Sequence, residues 1–309
     1  MIVAKTNMIY HAFGLKINST IPLPELVALH ESIDMAEVQI DIADLTELWM
    51  KKDVQQGRFL VDDQMVMFQI PETATFLIET GKKIIVSPMK DADHNKIRLY
   101  ILGTCMGVLL MQRKVLTLHG SAIAIDGKAY AFIGHSGAGK STLASTFINK
   151  GYQLLSDDII PLLLDEEGCP YVIPTYPQQK LWQESLQKFG WDSSAFSPLF
   201  ERETKFAIPV HSSYWKDPLP LGGVFEITKT EEDHTEIKLI QNLDRFHTLY
   251  NQTFRHTLIP RLGLREWHFI KSARVINKIK MYQVQRPSNV FTAPELLEKI
   301  LKIINEEMN

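Results

Sequence analysis

Over residues 1–92, short apolar or alternating runs recur at Val38–Ile42, 59–61, Met65–Ile70, Ala74–Glu79 and 83–87. The turn-like residues Asp62-Asp63, Pro71-Glu72 and Gly81 separate them. Runs of this length broken by such residues predict antiparallel strands, hence a small β-rich domain over 1–92. Ahead of them, residues 12–17 lead into Ile21-Pro22-Leu23-Pro24-Glu25-Leu26. Two prolines there forbid regular structure and predict an extended, packed segment. The most apolar stretch, residues 99–112, lies between Arg98 and Arg113 and falls short of the roughly 20 residues that span a bilayer. It reads as a buried helix that Asp93 can cap and that bridges into a second domain, 93–309.

In that second domain the pattern alternates between strands and helices. Runs 121–125 and 129–133 flank Asp126-Gly127, one of the strongest hairpin signals, so the two are predicted to pair antiparallel. A helix over 141–150, stopped by Gly151, leads to a strand at 152–156 that ends at Asp157-Asp158. Gly168-Cys169-Pro170 is a turn between strands 159–164 and 171–173, and 222–227 with 236–240 form a hairpin. Apolar spacings of three and four predict helices at 242–254 and 264–279. Thr292-Ala293-Pro294-Glu295 is a capping box opening a terminal helix through Leu296, Ile300 and Ile304. The loops at 192–203 and 212–220 are the expected mobile lids. The fold class is α/β.

Composition removes several classes of function. The 309 residues are 45% hydrophobic and 22% charged, ordinary for a soluble globular protein. Thirty-three basic against thirty-six acidic residues give a net charge of −3, so no nucleic-acid footprint is visible. Cys105 and Cys169 are the only cysteines, too few for a disulfide framework or a cysteine-rich zinc site, and a reducing cytoplasm fits. Residues 2–10 are too short an apolar run for a signal peptide, and no membrane span is expected.

The chemistry concentrates in Gly134-His135-Ser136-Gly137-Ala138-Gly139-Lys140-Ser141, a full match to G-x-x-x-x-G-K-[ST], followed by Thr142. The glycines let the backbone curl so that N–H groups meet phosphate oxygens, Lys140 reaches the outer phosphates, and the Ser141 hydroxyl can bind Mg²⁺. An apolar strand before it and a helix after it aim the positive end of a helix dipole at the phosphates. A strand entering through a tight hairpin departs from parallel P-loop folds, so the sheet is predicted to be mixed. Asp157 and Asp158, beside this loop, are placed to hold Mg²⁺ and to accept a proton from an attacking hydroxyl. Adjacent strand residues point to opposite faces, so the two should divide those tasks. Lys180, Arg202 and Lys205 are candidate contacts to the γ-phosphate or a peptide carboxylate. His247, His256 and His268 lack a paired-ligand spacing for zinc.

Leu118-His119-Gly120, the Asp-Gly hairpin, the phosphate loop and 151–158 stand in the order and near the spacing of the bacterial HPr kinase/phosphorylase family, which the chain resembles over some forty residues. That resemblance implies a mixed-sheet P-loop domain of the HPr kinase and phosphoenolpyruvate carboxykinase type. It further implies Asp157 as catalytic base with His119 as its partner, Lys140 as phosphate ligand, and Ser141 and Asp158 as Mg²⁺ ligands. Phe13-Gly14-Leu15, Ile21–26 and Lys180-Leu181-Trp182 look like the HPr-kinase-related proteins of lasso-peptide biosynthesis, which phosphorylate a C-terminal serine of a precursor peptide. Downstream, 174–182 stands where HPr kinases carry a glycine- and isoleucine-rich signature.

Residues and resemblance together point to a kinase that uses ATP and Mg²⁺ and acts on a hydroxyl, foremost a serine of a small precursor peptide. A small-molecule hydroxyl kinase, an HPr-type protein serine kinase and a nucleotide-switched binding module without transfer stay open, as does a homo-oligomer.

Overall fold

The computed structural model describes residues 8–29, 36–51, 59–62, 64–199 and 202–308. Asp63 of the predicted turn, residues 200–201 of the predicted lid, and the side chains of Arg202 and Glu203 lie outside the described residues.

The first sheet has eight strands in the order β3-β1-β2-β4-β8-β7-β6-β5. They are β1 (Met8–Ala12), β2 (Leu15–Ser19), β3 (Val27–Leu29), β4 (Val38–Ile42), β5 (Leu60–Asp62), β6 (Met65–Ile70), β7 (Ala74–Glu79) and β8 (Lys83–Pro88). The predicted runs are present, but the antiparallel expectation holds only in part, because β2–β4 and β4–β8 pair in parallel. Both faces of this sheet are covered. Val66 and Phe68 join the main core, while Met67 and Leu77 meet Leu48 and Trp49 of α1 (Thr46–Lys51). Cover on both faces explains why β6 reads as a continuous apolar run rather than an alternating one.

Asp93 caps α2 (His94–Tyr100) by accepting from the Asn95 N–H at 2.7 Å. A five-residue π turn, Ile101–Cys105, then joins it to α3 (Met106–Gln112). The predicted buried helix is therefore real and begins at the Asp93 cap as expected, with one widened turn inside it. It is apolar all round because it lies between the first sheet and Ile159 and Phe254 of the following elements.

The second sheet runs β10-β9-β11-β12-β16-β18-β17. Its strands are β9 (Leu116–Ile125), β10 (Lys128–Ile133), β11 (Gln153–Leu164), β12 (Pro170–Val172), β16 (Leu219–Thr230), β17 (Glu236–Leu239) and β18 (Lys280–Pro287). The Asp-Gly hairpin forms as predicted, with Lys128 opposite Ile125. β10 and β18 each pair in parallel with β16, so the sheet is mixed as expected. A separate three-stranded sheet has the order β13-β15-β14, from β13 (Gln178–Trp182), β14 (Ser197–Leu199) and β15 (Arg202–Pro209).

Helices cover both faces of the second sheet. α4 (Lys140–Asn149) and α8 (Ala293–Met308) pack Leu143, Phe147, Leu297 and Ile300 against Phe132 and Phe225. α6 (Asp244–Gln252) and α7 (Arg265–Ile276) bring Leu249, Val275 and Ile276 to the opposite face. α5 (Gln183–Lys188) follows β13 directly. The molecule is thus a mixed α/β fold built on mixed sheets.

Residues 222–227 and 236–240 do not form the expected hairpin, because β18 lies between β16 and β17 and pairs with both. Two further local expectations are overturned. The strand predicted to end at Asp157-Asp158 continues as one twelve-residue strand, with a register shift between Leu154 and Ser156 and Asp158 at φ 76°. The capping box at Thr292 is not closed: its hydroxyl has no hydrogen-bond partner, and Glu295 instead accepts from Thr235 and pairs with Lys299 at 2.9 Å. Both changes border the site.

Candidate functional site

The loop after β10 passes so close to β16 that a Cβ at Gly134 (φ 141°) would stand 2.4 Å from the Ile227 carbonyl oxygen. Gly139 (φ 108°) turns the chain into α4, whose first residue is Lys140. The unpaired N–H groups at the start of α4 therefore face the cleft together with the loop. Ser136, Gly137, Gly139, Lys140, Ser141 and Thr142 line a cleft of about 680 Å³. Gly134, His135 and Ala138 shape the loop without lining it. Lys140 is 7% exposed and donates to the Gly134 and His135 carbonyls at 2.8 and 3.1 Å. The Thr142 hydroxyl is held at 2.8 Å from that of Ser185.

Asp157 and Asp158 line the same cleft. Regular alternation would have separated them, but the left-handed backbone at Asp158 brings both carboxylates to Lys180. Asp157 accepts from the Lys180 backbone N–H at 2.7 Å, and Asp158 from the Lys180 ammonium at 2.7 Å. The other oxygen of Asp157 accepts from Ser121 at 2.5 Å and from Ser141 at 3.0 Å. His119 Nδ1 lies 3.5 Å from the Asp158 carboxylate and 3.0 Å from its carbonyl oxygen. A carbonyl only accepts, so Nδ1 carries the proton and Nε2 keeps its lone pair. The pairing is thus the reverse of the expected one. Ser141 goes with Asp157, and His119 with Asp158.

The electrostatics follow from burial and this pairing. Burial works against the charged form of Asp158, yet Lys180, His119 and Lys205 outweigh it and hold the carboxyl well below the usual range. Burial likewise opposes a charged Lys180, and Asp158 overcomes it to push the ammonium up. Burial lowers His119 despite Asp158, which favours the neutral imidazole. Lys180 thus clamps both aspartates, through its backbone N–H to Asp157 and its ammonium to Asp158, at the wall of the cleft. Lys205 lines the cleft with its ammonium 5.5 Å above the Trp182 ring. The backbone of Arg202 starts β15.

Burial also pushes Lys140 down to about 8, against the pull of Asp157 and Asp158. Below that pH the side chain is charged and attracts phosphate; above it the proton is lost unless the ligand supplies the energy to retain it. Triphosphate affinity is therefore expected to be flat below pH 8 and to fall above it, by up to about tenfold per unit. Lys140→Arg should remove this dependence, because a guanidinium stays charged. An affinity that does not change between pH 7 and 9.5 would exclude Lys140 as the group that meets the phosphates.

Two contributors escaped the sequence. Ser121 was legible in principle, since the hairpin and the next strand place it opposite Asp157. Arg286 was not. Its guanidinium donates from Nε to the Ala138 carbonyl at 2.8 Å, joining residues 148 apart in the chain.

No family model matches the chain. Over 151 residues it is 28% identical to the HPr kinase/phosphorylase of Limosilactobacillus reuteri (strain DSM 20016), which covers 45% of this chain and 45% of that protein. Over 78 residues it is 34% identical to the HPr kinase/phosphorylase of Mycoplasmopsis pulmonis (strain UAB CTIP), 25% of each. The likeness is to HPr kinase/phosphorylases. The chain spans less than half the length of the curated relatives it matches. Among solved structures, the HPr(Ser) kinase/phosphatase from Coxiella burnetii matches 62% of this chain and 97% of its own at 15% identity, with a TM-score of 0.35. Among the described residues, no helix is long and apolar enough to cross a membrane.

Proposed function

We propose that this chain is an ATP-dependent kinase that transfers a phosphoryl group to a serine hydroxyl of a protein or peptide. The observation that carries this reading is the placement of two differently paired carboxylates, Asp157 on Ser141 and Asp158 beside His119, in one cleft with the phosphate loop. A binding module that only sensed nucleotide would need no second carboxylate there. The likeness to HPr kinase/phosphorylases over part of the chain supports the same reaction class. So does the antiparallel hairpin feeding the loop, which suits a P-loop domain of the HPr kinase and phosphoenolpyruvate carboxykinase type, 93–309, behind a β-rich domain, 1–92.

In this reading the loop N–H groups and Lys140 hold the outer phosphates. Ser141 and Asp157 supply the oxygens for Mg²⁺. Mg²⁺ is commonly held by one or two protein oxygens together with substrate phosphates, and Ser141 and Asp157, 3.0 Å apart in the cleft, can supply such oxygens. Bound there, Mg²⁺ supplies neutralisation of the charge on the transferred group. Asp158 receives the acceptor proton. Its depressed pKa makes it a weak base, which suffices in a loose transition state where the hydroxyl keeps its proton until late. His119 orients Asp158, and Lys205 offers positive charge to the same space.

The finer form of the proposal has a C-terminal serine of a ribosomal precursor peptide, such as a lasso-peptide precursor, as acceptor. Phe13 meets Tyr176 at 5.7 Å between ring centroids and donates its N–H to the Thr175 carbonyl at 3.3 Å. Thr175 and Tyr176 lie just before β13, so the first sheet touches the segment that carries Lys180. Incubation of the full chain with Mg²⁺·ATP and a short peptide ending in serine is expected to add one phosphate to that serine by mass spectrometry. Transfer to a free metabolite hydroxyl and to no peptide or protein would overturn it.

A further inference from the structure

We propose that the turn over residues 288–292, between β18 and α8, is the nucleoside subsite of the cleft, with Phe291 as the platform on which a purine base stacks. The inference rests on the nucleotide reading above and adds where the base goes. Direction comes first. Asp157, Asp158, His119 and Lys180 define the end of the cleft where a phosphoryl group is transferred, and the loop holds the phosphates next to it. The nucleoside must then extend along the remaining wall.

That wall is attached to the loop. Arg286 donates to the Ala138 carbonyl at 2.8 Å, and its Nε lies 3.3 Å from where a Cβ at Gly139 would stand. It also donates to the Pro287 carbonyl at 2.9 Å, which stiffens the start of the turn. Phe291 follows five residues later, at most about 17 Å along the chain, and lines the same cleft as the loop.

The turn presents an apolar surface that the rest of the fold leaves uncovered. Val290 is 55% and Phe291 37% exposed, and both line the cleft. Phe291 is not loose, because its ring meets Phe189 edge to face at 6.0 Å and 80°. A ring fixed on one side and open on the other suits a flat aromatic ligand. The polar complement is also unfinished. Thr292 lines the cleft at 6% exposure, and its hydroxyl has no hydrogen-bond partner. Rotation about χ1 can turn that hydroxyl toward a ribose or base atom, and the exposed Asn289 amide, which lines the same cleft, offers both a donor and an acceptor.

The test compares ATP with inorganic triphosphate, which carries the phosphates and no base, by calorimetry on the full chain and on Phe291→Ala. Phe291 is exposed, so its truncation should leave the fold intact. Phe291→Ala is expected to weaken ATP binding about tenfold while triphosphate binding changes by less than about twofold, and Phe291→Trp to restore ATP affinity. Equal losses for both ligands, or no loss for ATP, would overturn the subsite. Wild-type protein that binds triphosphate as tightly as ATP would overturn it too. Wild-type protein that binds neither would remove the nucleotide reading itself, and the subsite with it.

Discussion

Asp158→Asn is expected to lower phosphoryl transfer by roughly 10²- to 10⁴-fold, the scale of a lost proton acceptor, while leaving Mg²⁺·ATP affinity within about threefold. Asparagine keeps the shape of the side chain and can still bond Lys180, but it cannot take the acceptor's proton. Asp157→Asn should behave differently. Its oxygens accept from Ser121, Ser141 and the Lys180 N–H, so the exchange should raise the Mg²⁺ concentration needed for half-maximal rate, and added Mg²⁺ should recover much of the loss. Steady-state rates across a Mg²⁺ titration separate the two. Rescue of Asp158→Asn by metal, with Asp157→Asn beyond rescue, would return the roles to those implied by the family resemblance.

Lys180→Met is expected to be the most destabilising single change at the site. Lys180 is 5% exposed and its partner Asp158 keeps 22% of its side chain exposed, so removing the cation leaves a largely buried carboxylate without its main counter-charge. Breaking such a pair costs about 3 kcal/mol, the low end for buried pairs because of that residual exposure. Activity should fall as well, since Lys180 holds both aspartates. Pairing the change with Asp158→Asn removes the stranded charge, so the double variant should melt above Lys180→Met alone. Thermal unfolding of the single and double variants checks this. If the double variant is the less stable by the sum of the two single effects, the pair is not coupled.

Much of the site was legible because its signals are local. The phosphate loop is eight consecutive residues whose glycines and lysine act within one turn of chain. Asp126-Gly127 sets its hairpin by turn chemistry alone, and that register carries Ser121 opposite Phe132. Asp93 caps a helix two residues away. The misreadings all come from partners distant in sequence. Asp158 adopts positive φ, at a cost of roughly 1–2 kcal/mol for a residue with a Cβ. It is held there beside Lys180, 22 residues on, and opposite Gly120 of β9. Thr292 has the sequence of a capping box, but Glu295 is drawn instead to Thr235 and Lys299.

Sequence by itself pointed to the glycine-rich loop at 134–141, the hairpin that feeds it, the mixed character of the second sheet and the two carboxylates near the loop. The loop and its hairpin depend on backbone chemistry within a few residues, where glycine and short polar side chains leave little choice. The mixed sheet was implied by that hairpin and is completed by the distant parallel pairing of β10 with β16. Tertiary structure alone decided that both carboxylates share one face, that Ser141 belongs with Asp157 and His119 with Asp158, that Lys180 is a clamp, and that Arg286 ties the far end of β18 to the loop. Those outcomes depend on which buried charge finds which partner once distant strands are packed. The electrostatic cost of an unpaired buried charge is settled only there.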